Sequence, residues 1–210
     1  MRALYIDVPE ELLRQRRRLG IDEFDEMWEG DLHLLPLPTW DHQGIDQGLS
    51  WFFKTHWHDL GEGVFRSHVG VKHPGTPDVA VGGVRVPTNY RGPDLVFLLR
   101  GHERRIRKGW VVGPPDAVIE IRSPGDETYQ KFPFFHSLGV PEVIVIHRDT
   151  KVPELHLRAD SDYERSAPAS DGSVTSRVLD TVFRAQATPR GGTAVLHLRR
   201  VRFPRRTGTI

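Results

Sequence analysis

Three charged residues stand where charge is hard to accommodate. Asp94 opens the apolar run at 93–99, Glu120 interrupts Ala117-Val118-Ile119-Glu120-Ile121, and Lys131 follows the turn Ser123-Pro124-Gly125. A carboxylate buried without a partner is strongly unfavourable, so each acid needs a neutralising neighbour. Two carboxylates that meet from adjacent strands repel and push one pKa upward. A divalent cation removes that conflict. Mg²⁺ takes oxygen ligands, commonly one or two carboxylates with water and substrate phosphate completing the shell. The backbone carbonyl of Ile121 is placed to add a ligand. A lysine nearby stabilises developing charge or orients a water. Spacing alone leaves two readings open: a metal-assisted hydrolytic site, or an Asp94 that caps a loop and a Glu120 paired with Arg122 or Lys131.

The elements that must carry these residues can be read from the pattern. Residues 9–19 are expected to form a short helix between Pro9 and Gly20. The segment "EMWEGDLHLLP" has two short apolar runs around Glu29-Gly30-Asp31, the mark of a β-hairpin. In "TWDHQGIDQGLSWFFKTHWHDLG", Thr39 or Asp41 can cap a helix, and Ile45, Leu49, Phe52, Phe53 and His56 recur at helical spacing, with His42 on the same stripe. From residue 63 the pattern changes to strands: "VFRSHVGV", 93–99, 116–122, 141–148 and "PELHLRA", with a short helix in "GDETYQKFPFFHSLG". Residues 161–210 read as a polar loop and further strands, including "TAVLHLRRVRF". The order predicts an α/β (α+β) chain forming one domain over 1–210.

Composition sets outer bounds. The chain has 210 residues, 38% hydrophobic and 27% charged, with net charge +1 and no cysteine. That balance is globular and leaves no route to disulfides or cysteine-ligated zinc. No apolar run reaches the roughly 20 residues of a membrane span, and "MRALYIDVPEELL" lacks a signal-peptide core. A cytoplasmic protein is therefore expected. Arginines cluster at Arg14, Arg16, Arg17 and Arg18 and at Arg199, Arg200, Arg202, Arg205 and Arg206. They could follow a phosphate backbone, or form solvated faces.

The ordered segments "RGPDLVFLL", "PPDAVIEIRSPGDETYQK" and "LGVPEVIVIHRDTKVPELHL", preceded by "DEMWEGDLHLLPLPTWDHQGIDQGL", resemble the Uma family of restriction-endonuclease-like proteins within the PD-(D/E)XK nuclease superfamily, over about residues 20–160. The resemblance implies a restriction-endonuclease-like mixed β-sheet flanked by helices, with an N-terminal helix and β-hairpin. It implies that Asp94 and Glu120 hold Mg²⁺ or Mn²⁺, and that Lys131 is the catalytic lysine, displaced onto the following helix. Glu26 matches an N-terminal acid that reaches the metal through water, and His42 matches a histidine lining the same pocket. Ser123 and Asp126 match a polar turn beside the site; with Arg91 and Arg122 they are expected to face substrate. Arg122 fills the usual E-x-K lysine position, and arginine cannot serve as a base. DNA is the implied substrate and a homodimer a possible assembly. The alternative is a nuclease-fold module with a weak or inactive site, acting in DNA or protein binding.

Other features read as structural. His56-Trp57-His58 places two histidines on different helix faces, which disfavours a metal site. Trp51, Phe52, Phe53 and Trp57 read as core and interface. His102, His136, His147, His156 and His197 read as surface or satisfied residues. There is no Gly-rich phosphate loop and no G-x-S-x-G.

Overall fold

Successive residues of a strand face opposite sides of its sheet, and the run 117–122 uses both sides. Ala117, Ile119 and Ile121 enter one core with Ile45, Leu49, Phe52 and Phe53. Val118 enters another with Val143, Val145, Phe134 and Phe135. A strand that is apolar on both faces lies in the middle of a sheet covered on both sides. The computed structural model, which describes residues 4–5, 9–81, 83–188 and 192–210, has that arrangement. Residues 1–3 and 6–8, on which much of the leader expectation rests, lie outside the described residues.

The central sheet has six strands in the order Tyr163–Arg165, Pro153–Arg158, Glu142–His147, Ala117–Arg122, Leu95–Leu99 and Gly63–Ser67. Ala117–Arg122 runs parallel to Glu142–His147 and antiparallel to Leu95–Leu99. A parallel pair needs a crossover. It is made by the 3₁₀ turn Thr128–Lys131 and helix α3 (Phe132–Leu138), which Gly139 ends in the left-handed conformation that glycine tolerates best. Lys131 therefore ends the 3₁₀ turn and caps α3, one step before the helix on which the sequence placed it.

Helix α1 (Glu10–Arg18) and helix α2 (Trp40–His56) form as the sequence predicts. Of the two candidate caps for α2, Thr39 is used: its side chain accepts the His42 N–H. The hairpin Glu26–Trp28/Asp31–His33 turns at Glu29 and Gly30, both with positive φ (51° and 100°), as a two-residue type I′ loop requires. It belongs to a seven-stranded sheet of very short strands that includes Tyr90–Arg91 and Val71–Lys72.

A four-stranded sheet from residue 174 onward, including Val195–Arg200, packs Val174, Phe183, Leu196 and Leu198 into the α2 core. The Glu142 carboxylate fastens it to the central sheet by accepting from Ser176 Oγ and the Arg177 and Val178 N–H groups. No described helix is long and apolar enough to cross a membrane.

Two expectations need correction. Trp51 is 73% exposed, whereas Phe52, Phe53 and Trp57 are core. Its place on the outer side of α2, away from the Ile45–Leu49–Phe53 stripe, explains the difference. Of the basic clusters, Arg14 and Arg18 form the solvated helix face that the sequence allowed, while Arg16 and Arg200 are engaged within the protein. Arg16 pairs with buried Asp25 and donates to the Ile21 and Leu35 carbonyls. Arg14 and Arg18 bond Glu10 and Glu11, and Arg17 bonds Asp22. Arg200 is fully buried, bonded to Asp180 and to the His56 carbonyl.

Candidate functional site

Asp94 is placed by the end of a ladder. The pairing of Leu95–Leu99 with Ala117–Arg122 stops at Leu95 and Ile119 because the chain turns away at Gly92-Pro93. The Asp94 side chain then continues the pairing, with Oδ2 accepting the Ile121 N–H at 2.6 Å. Its backbone carbonyl accepts the His68 N–H at 3.1 Å. Its other carboxylate oxygen lies 3.2 Å from His42 Nε2 and 4.0 Å from His68 Nδ1. Burial pushes this carboxyl up, but His42, the Lys131 charge and the Ile121 N–H together hold it below the ordinary aspartate range.

Glu120 points to the same side as Val118, where the chain returns as Thr128–Lys131. Lys131 Nζ lies 3.2 Å and 3.4 Å from the two Glu120 carboxylate oxygens and 2.8 Å from Glu26 Oε1. Lys131, not Arg122, is thus the partner of Glu120. Glu26 has further donors: the Gly92 N–H reaches Oε1 at 2.9 Å and the Trp28 indole N–H reaches Oε2 at 2.7 Å. Burial, then the Asp94 and Glu26 charges, raise the Glu120 carboxyl well above its usual range despite Lys131. Burial alone would push the Lys131 ammonium down, but Glu120, Glu26 and Asp94 outweigh it and keep Lys131 protonated.

The five residues Asp94, Glu120, Lys131, Glu26 and His42 are therefore brought together. Asp94, Glu120, Lys131 and His42 line a cleft of about 680 Å³. Of the residues expected to face substrate, Ser123 and Asp126 line the same cleft. Asp126 accepts the Ser123 and Thr128 N–H groups and shapes the turn before Lys131. Arg91 is directed elsewhere: it is 2% exposed, stacks between Trp28 and Phe134, and donates to the Met27 carbonyl. Arg122 is half-buried, with its guanidinium 5.0 Å from the Tyr129 ring.

Several neighbours were not expected. Asp46, one helical turn after His42, is buried and accepts from Ser67 Oγ. It lies 3.7 Å from His68 Nε2, and it is the largest influence raising the His68 pKa. The i, i+4 spacing of His42 and Asp46 was a readable signal, since such residues share a helix face. His68 gave no signal, because its place depends on a positive φ of 53° just past a strand. His33 stacks on Trp28 with ring centroids 4.1 Å apart and bonds Glu127 at 3.0 Å. That contact ties the hairpin carrying Glu26 to the loop that leads into Lys131.

A second hub braces that loop from the far side. Glu154, 6% exposed, accepts from Tyr129 Oη, His147 Nε2 and His156 Nε2 at 2.9, 3.0 and 3.0 Å. Arg122 also reaches His147 Nδ1 at 3.3 Å. Arginine only donates, so Nδ1 accepts and the His147 hydrogen sits on Nε2, directed at Glu154. Burial pushes Glu154 up, but its bonds from His156, His147 and Tyr129 outweigh burial and hold it down at about 2. Glu154→Gln should cost about 1–3 kcal/mol at pH 7. A depressed carboxyl stabilises the fold above its unfolded pKa and loses that contribution as pH falls through its folded one. Urea denaturation should therefore show the gap between Glu154→Gln and the parent closing as pH falls below about 4.5 toward 2.

Among the described residues no group of three or more His, Asp or Glu forms a ligand cluster. Mg²⁺ does not need one, since one or two carboxylates with water suffice. The donor set fits a hard cation: Asp94 and Glu120 bring carboxylate oxygens to one cleft, and Glu120 shares the Lys131 ammonium with Glu26.

The Uma2 family, whose description reads "Putative restriction endonuclease", matches residues 9–187. The crystal structure titled a "putative nuclease belonging to DUF820", from Anabaena variabilis, superposes with a TM-score of 0.56 at 15% identity, covering 74% of this chain and 82% of that one. Among curated proteins, none matches. The structural likeness fixes a nuclease fold, and the match over most of the sequence shows that the chain belongs to the Uma2 family.

Proposed function

We propose that the chain hydrolyses DNA phosphodiester bonds with a divalent cation, Mg²⁺ or Mn²⁺, held by Asp94 and Glu120. The observation that carries this reading is a buried surplus of carboxylate beside the cleft: Glu120 and Glu26 share the ammonium of Lys131, and Asp94, held by His42 and the Ile121 N–H, lines the same cleft as Glu120. Such a surplus is unfavourable in a purely structural site. When bound, the cation would polarise the phosphate and neutralise charge during in-line attack by water.

The residues of the chain have separable tasks. The Ile121 N–H and His42 orient Asp94 so that one oxygen is tied to the strand and the other faces the cleft. Glu26 positions Lys131 and is itself fixed by Gly92 and Trp28. Lys131 stays protonated and presents fixed positive charge to a phosphate entering the cleft, the preorganised electrostatics that favour a charged transition state. The Ile121 carbonyl remains a candidate further ligand.

Purified protein with supercoiled plasmid should nick or linearise it in Mg²⁺ or Mn²⁺, and EDTA should stop the reaction. Asp94→Ala should abolish the cutting. Cleavage that persists in EDTA would remove the cation from the reaction, and cleavage that persists in Asp94→Ala would remove Asp94 from it.

A further inference from the structure

We propose that His68, backed by Asp46, gives a nitrogen ligand to the cation at Asp94, so that the site prefers Mn²⁺ and Co²⁺ to Mg²⁺. The inference rests on the cation reading of that site and adds a ligand and a metal preference to it.

His68 stands between two carboxylates. Its Nδ1 is 4.0 Å from Asp94 Oδ1 and its Nε2 is 3.7 Å from Asp46 Oδ2. Both separations are too long for a hydrogen bond, and Nε2 is buried without one. A neutral imidazole has one N–H and one lone pair. With the hydrogen on Nε2, on the Asp46 side, the Nδ1 lone pair faces a carboxylate oxygen that also has only lone pairs to offer. A cation between the two atoms resolves that conflict. A second proton on the ring also would, so proton and cation compete for this nitrogen.

The spacing suits one shared ion. With bonds of about 2.1 Å, two donors on one octahedral cation lie ~3.0 Å apart when adjacent and ~4.2 Å apart when opposite. The 4.0 Å between His68 Nδ1 and Asp94 Oδ1 falls inside that span. Among the described residues the donors form no closed cluster, so binding must draw the ring in. Its side-chain nitrogens have only the long contacts to Asp46 and Asp94 to give up.

Asp46 separates His68 from His42. A ligating histidine almost always gives its other N–H to a carboxylate, carbonyl or water, which fixes the ring and its tautomer. Asp46 is buried and held on its other oxygen by Ser67 Oγ at 3.1 Å. Among the described residues His68 is the one basic side chain within ion-pair reach of it. His42 has no such support, because its Nδ1 is buried without a partner. The backbone also favours His68. Its φ of 53° is uncommon for a residue with a side chain, and such outliers collect at functional sites. His68 lines the cleft beside Asp94, and the Phe24 ring meets it edge-on with centroids 5.3 Å apart.

The metal preference follows from the ligand type. Mg²⁺ is served by oxygen, whereas imidazole suits the first-row transition metals, whose affinity rises from Mn²⁺ to Co²⁺.

The test uses the full chain and bare cations, without DNA. Pulsed EPR of the Mn²⁺ complex should show the echo modulation of a directly bound imidazole nitrogen, and His42→Gln should keep it. His68→Asn, whose side chain tolerates the left-handed backbone, should abolish it. By calorimetry, and by competition for Mg²⁺, His68→Asn should weaken Mn²⁺ and Co²⁺ at least about tenfold and change Mg²⁺ less than about threefold. Asp46→Asn should keep the modulation but weaken Mn²⁺ by roughly ten- to a hundred-fold. The spectra of the parent and His42→Gln decide the matter even if His68→Asn folds poorly. A parent complex without nitrogen modulation, modulation lost in His42→Gln, or Mg²⁺ and Mn²⁺ weakened equally by His68→Asn would overturn the inference. The two readings fail separately. Mn²⁺ bound through Asp94 without a nitrogen ligand would retire this inference alone. Nitrogen-ligated Mn²⁺ in a chain that cuts no DNA would retire the hydrolytic reading alone.

Discussion

Lys131→Met should unfold more readily by about 3–5 kcal/mol at pH 7.5, the usual consequence of removing one partner from a buried charge cluster. Lys131 is the ammonium between Glu26 and Glu120, at 2.8 and 3.2 Å, and a methionine of similar length leaves both carboxylates facing each other without a cation. The pH dependence identifies the cause. A buried carboxyl whose folded pKa is raised binds more protons folded than unfolded, so its penalty grows as pH rises above the unfolded value and vanishes below it. Glu120 is already raised with Lys131 present, and loses a lowering influence without it. The deficit of Lys131→Met, measured by urea denaturation in EDTA, should therefore shrink steadily as pH is lowered toward the ordinary glutamate value of 4.5. A deficit independent of pH would point to lost packing. Cleavage by this variant should be undetectable at any pH, because among the described residues no other Lys or Arg pairs with Glu120.

Glu120→Gln should separate stability from activity in the opposite direction. Its amide oxygen can still accept from Lys131, while one of three crowded carboxylates is gone and Glu26 remains to balance the ammonium. Stability at pH 7.5 should stay within about 1 kcal/mol of the parent or rise above it, since an uncompensated buried charge has been neutralised. The parent should lose stability as pH climbs from 4.5 through the raised Glu120 pKa, and Glu120→Gln should lack that slope. Cleavage should nonetheless fall by at least about a hundred-fold, the scale of removing one charge-organising group from an active site. A residue retained at a cost to the fold is the signature of a functional site. If Glu120→Gln were instead as destabilised as Lys131→Met and as active as the parent, Glu120 would be a structural ion-pair residue.

The parts of this site that were legible in sequence are those that break a pattern. An acid inside an apolar strand has no ordinary reason to be there, so Asp94 and Glu120 stood out. Lys131 followed from the short turn that returns the chain over that strand. The Glu29–Gly30 hairpin carries a local signal strong enough to read alone, whereas the cap of α2 was narrowed only to Thr39 or Asp41. What stayed hidden depends on tertiary placement. The seven-stranded sheet is made of strands as short as Val71–Lys72, too brief to show a period. His68 reaches Asp94 only because its backbone turns to positive φ. Glu154 and His156 share a strand face at i, i+2, but Tyr129 and His147 reach Glu154 from two other segments that no spacing rule connects to it. Arginine clusters look alike in sequence whether they face phosphate or pair internally, and here Arg16 and Arg200 pair internally.

Asp94 and Glu120 are proposed to hold a divalent cation together. Calorimetric titration of the purified chain with Mn²⁺ addresses it without relying on any substrate. The parent should bind Mn²⁺ saturably, and binding should weaken at least about tenfold in both Asp94→Asn and Glu120→Gln while each variant still unfolds cooperatively. No binding by the parent at millimolar Mn²⁺, or equal binding by parent and both variants, would contradict it.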